Sequence, residues 1–126
     1  MKRRLAAALV AILAIQPVAA FAQCHIYQHR DYGGSRWTVG SNTILYMKNN
    51  PNPGFSSTTN GHGIDPEYNK SWNDQLSSFK VAPGCTITLW KNHDAKGDRW
   101  EANSNYSYVG GKWNDEASTV MCSCRR

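Results

Sequence analysis

The segment Ile26-Tyr-Gln-His-Arg-Asp-Tyr-Gly-Gly-Ser-Arg-Trp37 returns as Leu89-Trp-Lys-Asn-His-Asp-Ala-Lys-Gly-Asp-Arg-Trp100, 63 positions further on (89 − 26). Asp31/Asp94, Gly34/Gly97, Arg36/Arg99 and Trp37/Trp100 are identical between the two. A second segment behaves likewise: Trp72-Asn-Asp-Gln-Leu-Ser-Ser78 returns as Trp113-Asn-Asp-Glu-Ala-Ser-Thr119, 41 positions on (113 − 72). Two segments recurring in the same order describe one unit written twice. The offsets differ by 22 (63 − 41), so the first copy carries that many extra residues between Trp37 and Trp72.

Around these marks the apolar and β-branched runs are short: 25–28, 35–39, 43–47, 77–81, 85–90, 99–102 and 118–122. Gly, Asn, Asp and Pro clusters separate them, and no 3.6-residue apolar period appears. Short strands with frequent turn signals predict an all-β sandwich or barrel. The extra length falls between Trp37 and Trp72, where the stretch 48–63, rich in Asn, Pro, Gly and Ser, reads as a long exposed loop. Such a loop is either a tolerated insertion or a place for partner contacts.

The chain opens Met1-Lys-Arg-Arg4, continues through an apolar run from Leu5 to Ile15 and reaches Ala20-Phe21-Ala22. A basic start, a short apolar run and an A-x-A site predict an export signal cleaved after Ala22. The apolar run is too short for a membrane span of about 20 residues, so no membrane insertion is expected. Residues 1–22 are then the signal peptide and 23–126 the domain. The first copy of the unit covers about 24–82, the second about 84–124. The formal charge of +5 loses Lys2, Arg3 and Arg4 with the signal, leaving 11 basic against 9 acidic residues. With no basic patch and no motif, nucleic-acid binding is excluded. The expected location is secreted or periplasmic.

All four cysteines, Cys24, Cys85, Cys122 and Cys124, lie in the exported part. An even count in an oxidising compartment predicts two disulfides, with three pairings open. In a strand, Cys122 and Cys124 face the same side and bond more easily to other partners than to each other. The four histidines offer no paired zinc knuckle, and exported thiols oxidise, which argues against zinc.

Tyr27-x4-Tyr32-x-Gly34 resembles the Greek-key signature of the βγ-crystallins, in which an aromatic opens the first strand, another packs at the hairpin and a glycine makes the fold-over turn. Trp90-x4-Ala95-x-Gly97 keeps the aromatic and the glycine but has Ala95 at the hairpin place. The glycine has its own physical reason, a positive φ that is cheap only without a Cβ. The resemblance implies two Greek-key motifs packed as one sandwich across the mature chain, apart from the inserted loop.

Asn73-Asp74-Gln75-Leu76-Ser77-Ser78 is similar to the N/D-N/D-x-x-S/T-S calcium signature of microbial members of that family. Asn114-Asp115-Glu116-Ala117-Ser118-Thr119 departs only at its last place, a change expected to be structural. Calcium is a hard cation wanting six to eight oxygens. In a tight turn, an Asp and a Ser three residues apart can project toward one ion with a backbone carbonyl between them. The resemblance instead implies two calcium sites shared between motifs. One takes the Gln75 carbonyl, the Ser77 hydroxyl and the Asp115 carboxylate; the other takes the Glu116 carbonyl, the Ser118 hydroxyl and the Asp74 carboxylate. Further carbonyls come from Gln28 and Lys91, while Asn73 and Asn114 shape the turns. Few charged ligands imply modest affinity, about 10⁻⁵–10⁻³ M.

Tyr27, Trp37, Trp72, Trp90, Trp100 and Trp113 hold repeat-related places and read as packing residues. Tyr106 and Tyr108, with Asn103 and Asn105 nearby, could make a sugar-stacking face. No G-x-S-x-G, H-E-x-x-H or nucleophilic cysteine context appears, and all four histidines read as turn or loop residues, so no enzyme is expected. The expected role is a calcium-stabilised structural or stress-related protein outside the cytoplasm. The alternatives are a protease inhibitor presenting loop 48–63 and a cell-wall or chitin-binding antimicrobial protein.

Overall fold

The computed structural model describes residues 22–52 and 63–125; the expected signal segment lies outside them except for Ala22, as do 53–62 of the loop. Eight strands form two sheets: β1 (Gln23–His29), β2 (Gly33–Gly40), β3 (Thr43–Tyr46), β4 (Asp65–Tyr68), β5 (Ser78–Val81), β6 (Cys85–Asn92), β7 (Lys96–Ala102) and β8 (Thr119–Cys124). Sheet one runs β2-β1-β5 and sheet two runs β4-β3-β8-β6-β7. The strand order follows a Greek key. β3 leaves its own motif to pair antiparallel with β8. In return, Tyr106 of the second motif bridges to Phe79 on β5, with the two residues exchanging backbone bonds of 3.0 and 3.1 Å.

Side chains alternating along the strands build the core. Cys24 and Ile26 on β1, Ile87 and Leu89 on β6, and Val120 and Cys122 on β8 are all fully buried, as are Val39, Leu45 and Phe79. The expected all-β sandwich is what these residues make. The cysteines pair as Cys24–Cys122 and Cys85–Cys124. The first bridge fastens β1 in sheet one to β8 in sheet two. The second joins residues directly opposite each other on β6 and β8.

Each hairpin turns through consecutive left-handed residues: Asp31 and Tyr32 in the first (φ 56° and 60°), Asp94 and Ala95 in the second (φ 60° and 56°). Gly34 and Gly97 follow at φ 73° and 79°. A Cβ on Gly34 would lie 2.5 Å from the His29 ring, and one on Gly97 would lie 2.6 Å from the Asn92 side chain. The folded-back hairpin therefore requires glycine on two counts, torsion and space.

One strand has no counterpart among the runs read from the sequence: Asp65–Tyr68 forms β4, which pairs parallel with β3 at the sheet edge. One expectation needs correction. Of the four histidines read as turn or loop residues, His25 sits within β1 and bonds Thr38 on β2, and His62 lies outside the described residues.

Candidate metal centre

The two Asn-Asp turns sit side by side at one end of the sandwich, locked to each other by their backbones. Asp74 N–H donates to the Ala117 carbonyl and Asp115 N–H to the Leu76 carbonyl, both at 3.1 Å. Asp74 and Asp115 each adopt φ 57°, a left-handed torsion that Asp tolerates better than most residues. This torsion sends each carboxylate across to the opposite motif. Ser77 Oγ lies 3.5 Å from Asp115 Oδ1, and Ser118 Oγ lies 3.5 Å from Asp74 Oδ1. The hydroxyl–carboxylate contacts of these turns thus run between the motifs. The cross-motif grouping is the one formed, because each turn packs on the other.

The neighbouring asparagines orient the carboxylates. Asn73 Nδ2 donates to Asp74 Oδ2 at 3.2 Å, and Asn114 Nδ2 donates to Asp115 Oδ2 at 3.4 Å. One oxygen of each carboxylate is thus held from behind while the other faces the serine. The Oδ1 atoms of Asn73 and Asn114 are buried without a hydrogen-bond partner among the described residues.

Gln28 and Lys91 arrive by a feature that the sequence does not spell out. The β1–β2 register skips from Tyr27 to His29, and the β6–β7 register skips from Trp90 to Asn92. Gln28 faces two unpaired residues of β2, Gly34 and Ser35, and Lys91 faces Gly97 and Asp98 of β7, so each lies opposite a β-bulge. Tyr27 and Trp90, just before the bulges, accept the Ser77 and Ser118 N–H groups, both at 2.9 Å, which places each bulge beside its serine. The Gln28 side chain donates to Gln75 Oε1 at 3.0 Å. The Lys91 ammonium is drawn off over the Trp113 ring, 5.3 Å from its centroid.

Ser78 and Thr119, the last residues of the motifs, play a different part. Ser78 Oγ donates to the His29 carbonyl at 2.6 Å and accepts from Tyr32 N–H at 3.1 Å. Thr119 Oγ1 donates to the Asn92 carbonyl at 2.9 Å and accepts from Ala95 N–H at 3.2 Å. Either hydroxyl does this work, so Thr119 is a structural change. Tyr27 and Tyr32 pack edge-on, 5.5 Å between centroids; with Ala95 at the matching place, the second hairpin relies on Thr119.

Gln28, Gln75, Ser77 and Asp115 open onto a cleft of about 530 Å³ that Arg30 and Tyr108 also line. The Arg30 guanidinium lies 3.9 Å over the Tyr108 ring and has no carboxylate partner among the described residues. Sequence reasoning missed this pair at the site, since Arg30 and Tyr108 lie far apart in the chain. Tyr106 lines a separate cleft with Glu101 and Asn103 and packs against Phe79 and Trp100. Tyr106 and Tyr108 therefore line different clefts.

No protein-family profile and no curated protein matches the sequence. Solved structures do match. A double mutant of a βγ-crystallin domain from Clostridium beijerinckii has a TM-score of 0.57 at 26% identity, over 80% of this chain and 96% of that one. A βγ-crystallin domain from Flavobacterium johnsoniae gives 0.58 at 19%, over 81% and 94%. The N-terminal domain of Protein S gives 0.58 at 20%, over 82% and 97%. The chain is thus a disulfide-linked Greek-key sandwich. More narrowly, its fold is that of the microbial βγ-crystallin domains, as its motifs imply.

Proposed function

We propose that this is an exported calcium-binding βγ-crystallin domain with two sites, in which calcium and disulfides stabilise a protein of structural or stress-related role. The observation that carries the reading is the crossed pairing of Asp115 with Ser77 and Asp74 with Ser118, each at 3.5 Å. That spacing is long for a hydroxyl–carboxylate bond. It suits two ligands of one ion: oxygens 2.3–2.6 Å from calcium and at right angles lie about 3.3–3.7 Å apart. One site takes Asp115, Ser77 and the Gln75 and Gln28 carbonyls. Its mate takes Asp74, Ser118 and the Glu116 and Lys91 carbonyls. Every donor is a hard oxygen, which fits calcium and not a thiophilic metal. Calcium would supply positive charge joining the two motifs, and no catalytic step is assigned to it.

Export is supported by the basic-then-apolar start, and the two buried disulfides suit an oxidising compartment. Among the described residues no helix is long and apolar enough to cross a membrane. A ligand bound only to the folded chain at 100 times its Kd adds about 2.7 kcal/mol, or about 10–20 °C in melting temperature for a domain of this size. The oxidised protein should therefore melt higher in millimolar calcium, reversed by chelator. Asp74→Ala with Asp115→Ala should abolish the rise. An unchanged wild-type melting curve contradicts the reading.

A further inference from the structure

Four sulfur atoms crowd together near the end of β8. Cys122 Sγ and Cys124 Sγ are 3.7 Å apart, and the sulfurs of Cys85, Cys122 and Cys124 all lie within 4.8 Å of one another. This is no metal centre, because each sulfur is already bonded in a disulfide and offers no thiolate. Access to the two bridges is uneven. Cys24 and Cys122 are 0% exposed, whereas Cys85 is 3% and Cys124 8% exposed. The outer bridge, Cys85–Cys124, is thus the more exposed of the two, with Cys124 the most exposed of the four cysteines.

We propose that Cys85, Cys122 and Cys124 form a disulfide-exchange site, through which a thiol acting on the outer bridge moves the inner bridge from Cys24–Cys122 to Cys85–Cys122. An incoming small-molecule thiolate attacks Cys124 Sγ. A mixed disulfide forms there, the Cys85–Cys124 bond breaks, and the electron pair leaves on Cys85 Sγ. The Cys85 thiolate then attacks Cys122 Sγ. The Cys85–Cys122 bond forms, the Cys24–Cys122 bond breaks, and Cys24 leaves as a thiolate that takes a proton from water. Both steps are exchanges, so the number of disulfide bonds is unchanged and no oxidant is consumed. The register supports the second step: Cys85 lies opposite Cys124, and Cys122, two residues along the same strand face, is its diagonal neighbour. The exchange replaces a bridge between the two sheets by one within sheet two.

Cys124→Ser leaves a free Cys85 thiol beside an intact inner bridge. This variant is held at pH 8.5 without reductant, quenched in acid, alkylated and digested with trypsin. The expected result is growing linkage of peptide 81–91, which holds Cys85, to peptide 113–125, which then holds Cys122 alone, with Cys24 alkylated. Persistent linkage of the Cys24 peptide to 113–125, with Cys85 alkylated throughout, overturns the proposal. Should the variant fail to fold, wild-type protein under limiting small-molecule thiol gives the second readout. A thiol adduct on Cys124 together with a freed Cys24 supports exchange. The same adduct with a freed Cys85 and an intact Cys24–Cys122 bridge overturns it.

Discussion

Gly97 and Gly34 carry the two fold-over turns, and the contrast with Gly111 makes their role measurable. Gly97→Ala meets both a positive φ and a 2.6 Å contact, while a Cβ at Gly111 meets nothing within 4 Å. Chemical denaturation should show Gly97→Ala destabilising by about 1–3 kcal/mol and Gly111→Ala within about 0.5 kcal/mol of wild type. These glycines were legible because torsion is a property of one residue and its neighbours. Gln28 and Lys91 were legible only through family resemblance, since a bulge depends on where a partner strand slips register. Arg30 is a further residue-scale determinant. Its charge lines the Asp115 cleft and opposes a second cation there, so Arg30→Ala should tighten calcium binding at that site by roughly two- to fivefold in low salt. Titration calorimetry would register unchanged or weaker binding if the guanidinium plays no such part.

Among the elements, β4 was the one hidden from sequence reasoning. Asp65-Pro-Glu-Tyr68 lacks β-branched residues and contains a proline, which is tolerated because β4 is an edge strand. Its place comes from partners: it runs parallel to β3, with Tyr68 stacked on Tyr46 at 5.3 Å between centroids. Strands β1, β2, β3, β5, β6 and β8 were legible within a few residues because each is a short apolar or β-branched run set off by turn formers. The β1–β2 pair also carries a pH-sensitive group. Gln23 Nε2 donates to His25 Nε2 at 3.1 Å, and His25 Nδ1–H in turn donates to Thr38 Oγ1 at 2.8 Å, so the neutral ring is held by both nitrogens. Burial first, then the charges of Arg36 and Lys80, hold His25 below its ordinary 6.5. The unfolded chain then binds this proton more readily than the folded one, so stability falls as pH drops below about 6.5 toward the lower folded value. Melting curves from pH 7 to 5 should show this loss, and His25→Gln should flatten it. An equal slope in the variant would assign the loss elsewhere.

At the scale of the whole molecule, the Cys24–Cys122 bridge and the paired Asn-Asp turns fasten the first motif to the second, while Cys85–Cys124 lies within the second. The Cys24–Cys122 bridge spans 98 residues and Cys85–Cys124 spans 39. In the chain-entropy account the longer loop stabilises more, by about 0.8 kcal/mol. Removing both cysteines of the inner bridge by substitution with alanine should accordingly destabilise more than removing both of the outer bridge. An equal or reversed order in denaturant titrations would mean that local packing outweighs loop closure. Cysteine count and compartment predict two bridges, but pairing depends on which strands meet across the sandwich, a long-range property. The same holds for the candidate metal centre: the residues were visible in two short motifs, and the crossing of Asp74 to Ser118 and Asp115 to Ser77 comes from how the turns pack. That crossing is most directly tested by calcium titration calorimetry on the oxidised protein and on Asp115→Ala alone. The account predicts two calcium ions bound by wild type and one by the variant, the surviving site being that of Asp74, Ser118 and the Glu116 carbonyl. Two ions still bound by Asp115→Ala, or none bound by wild type, would contradict it.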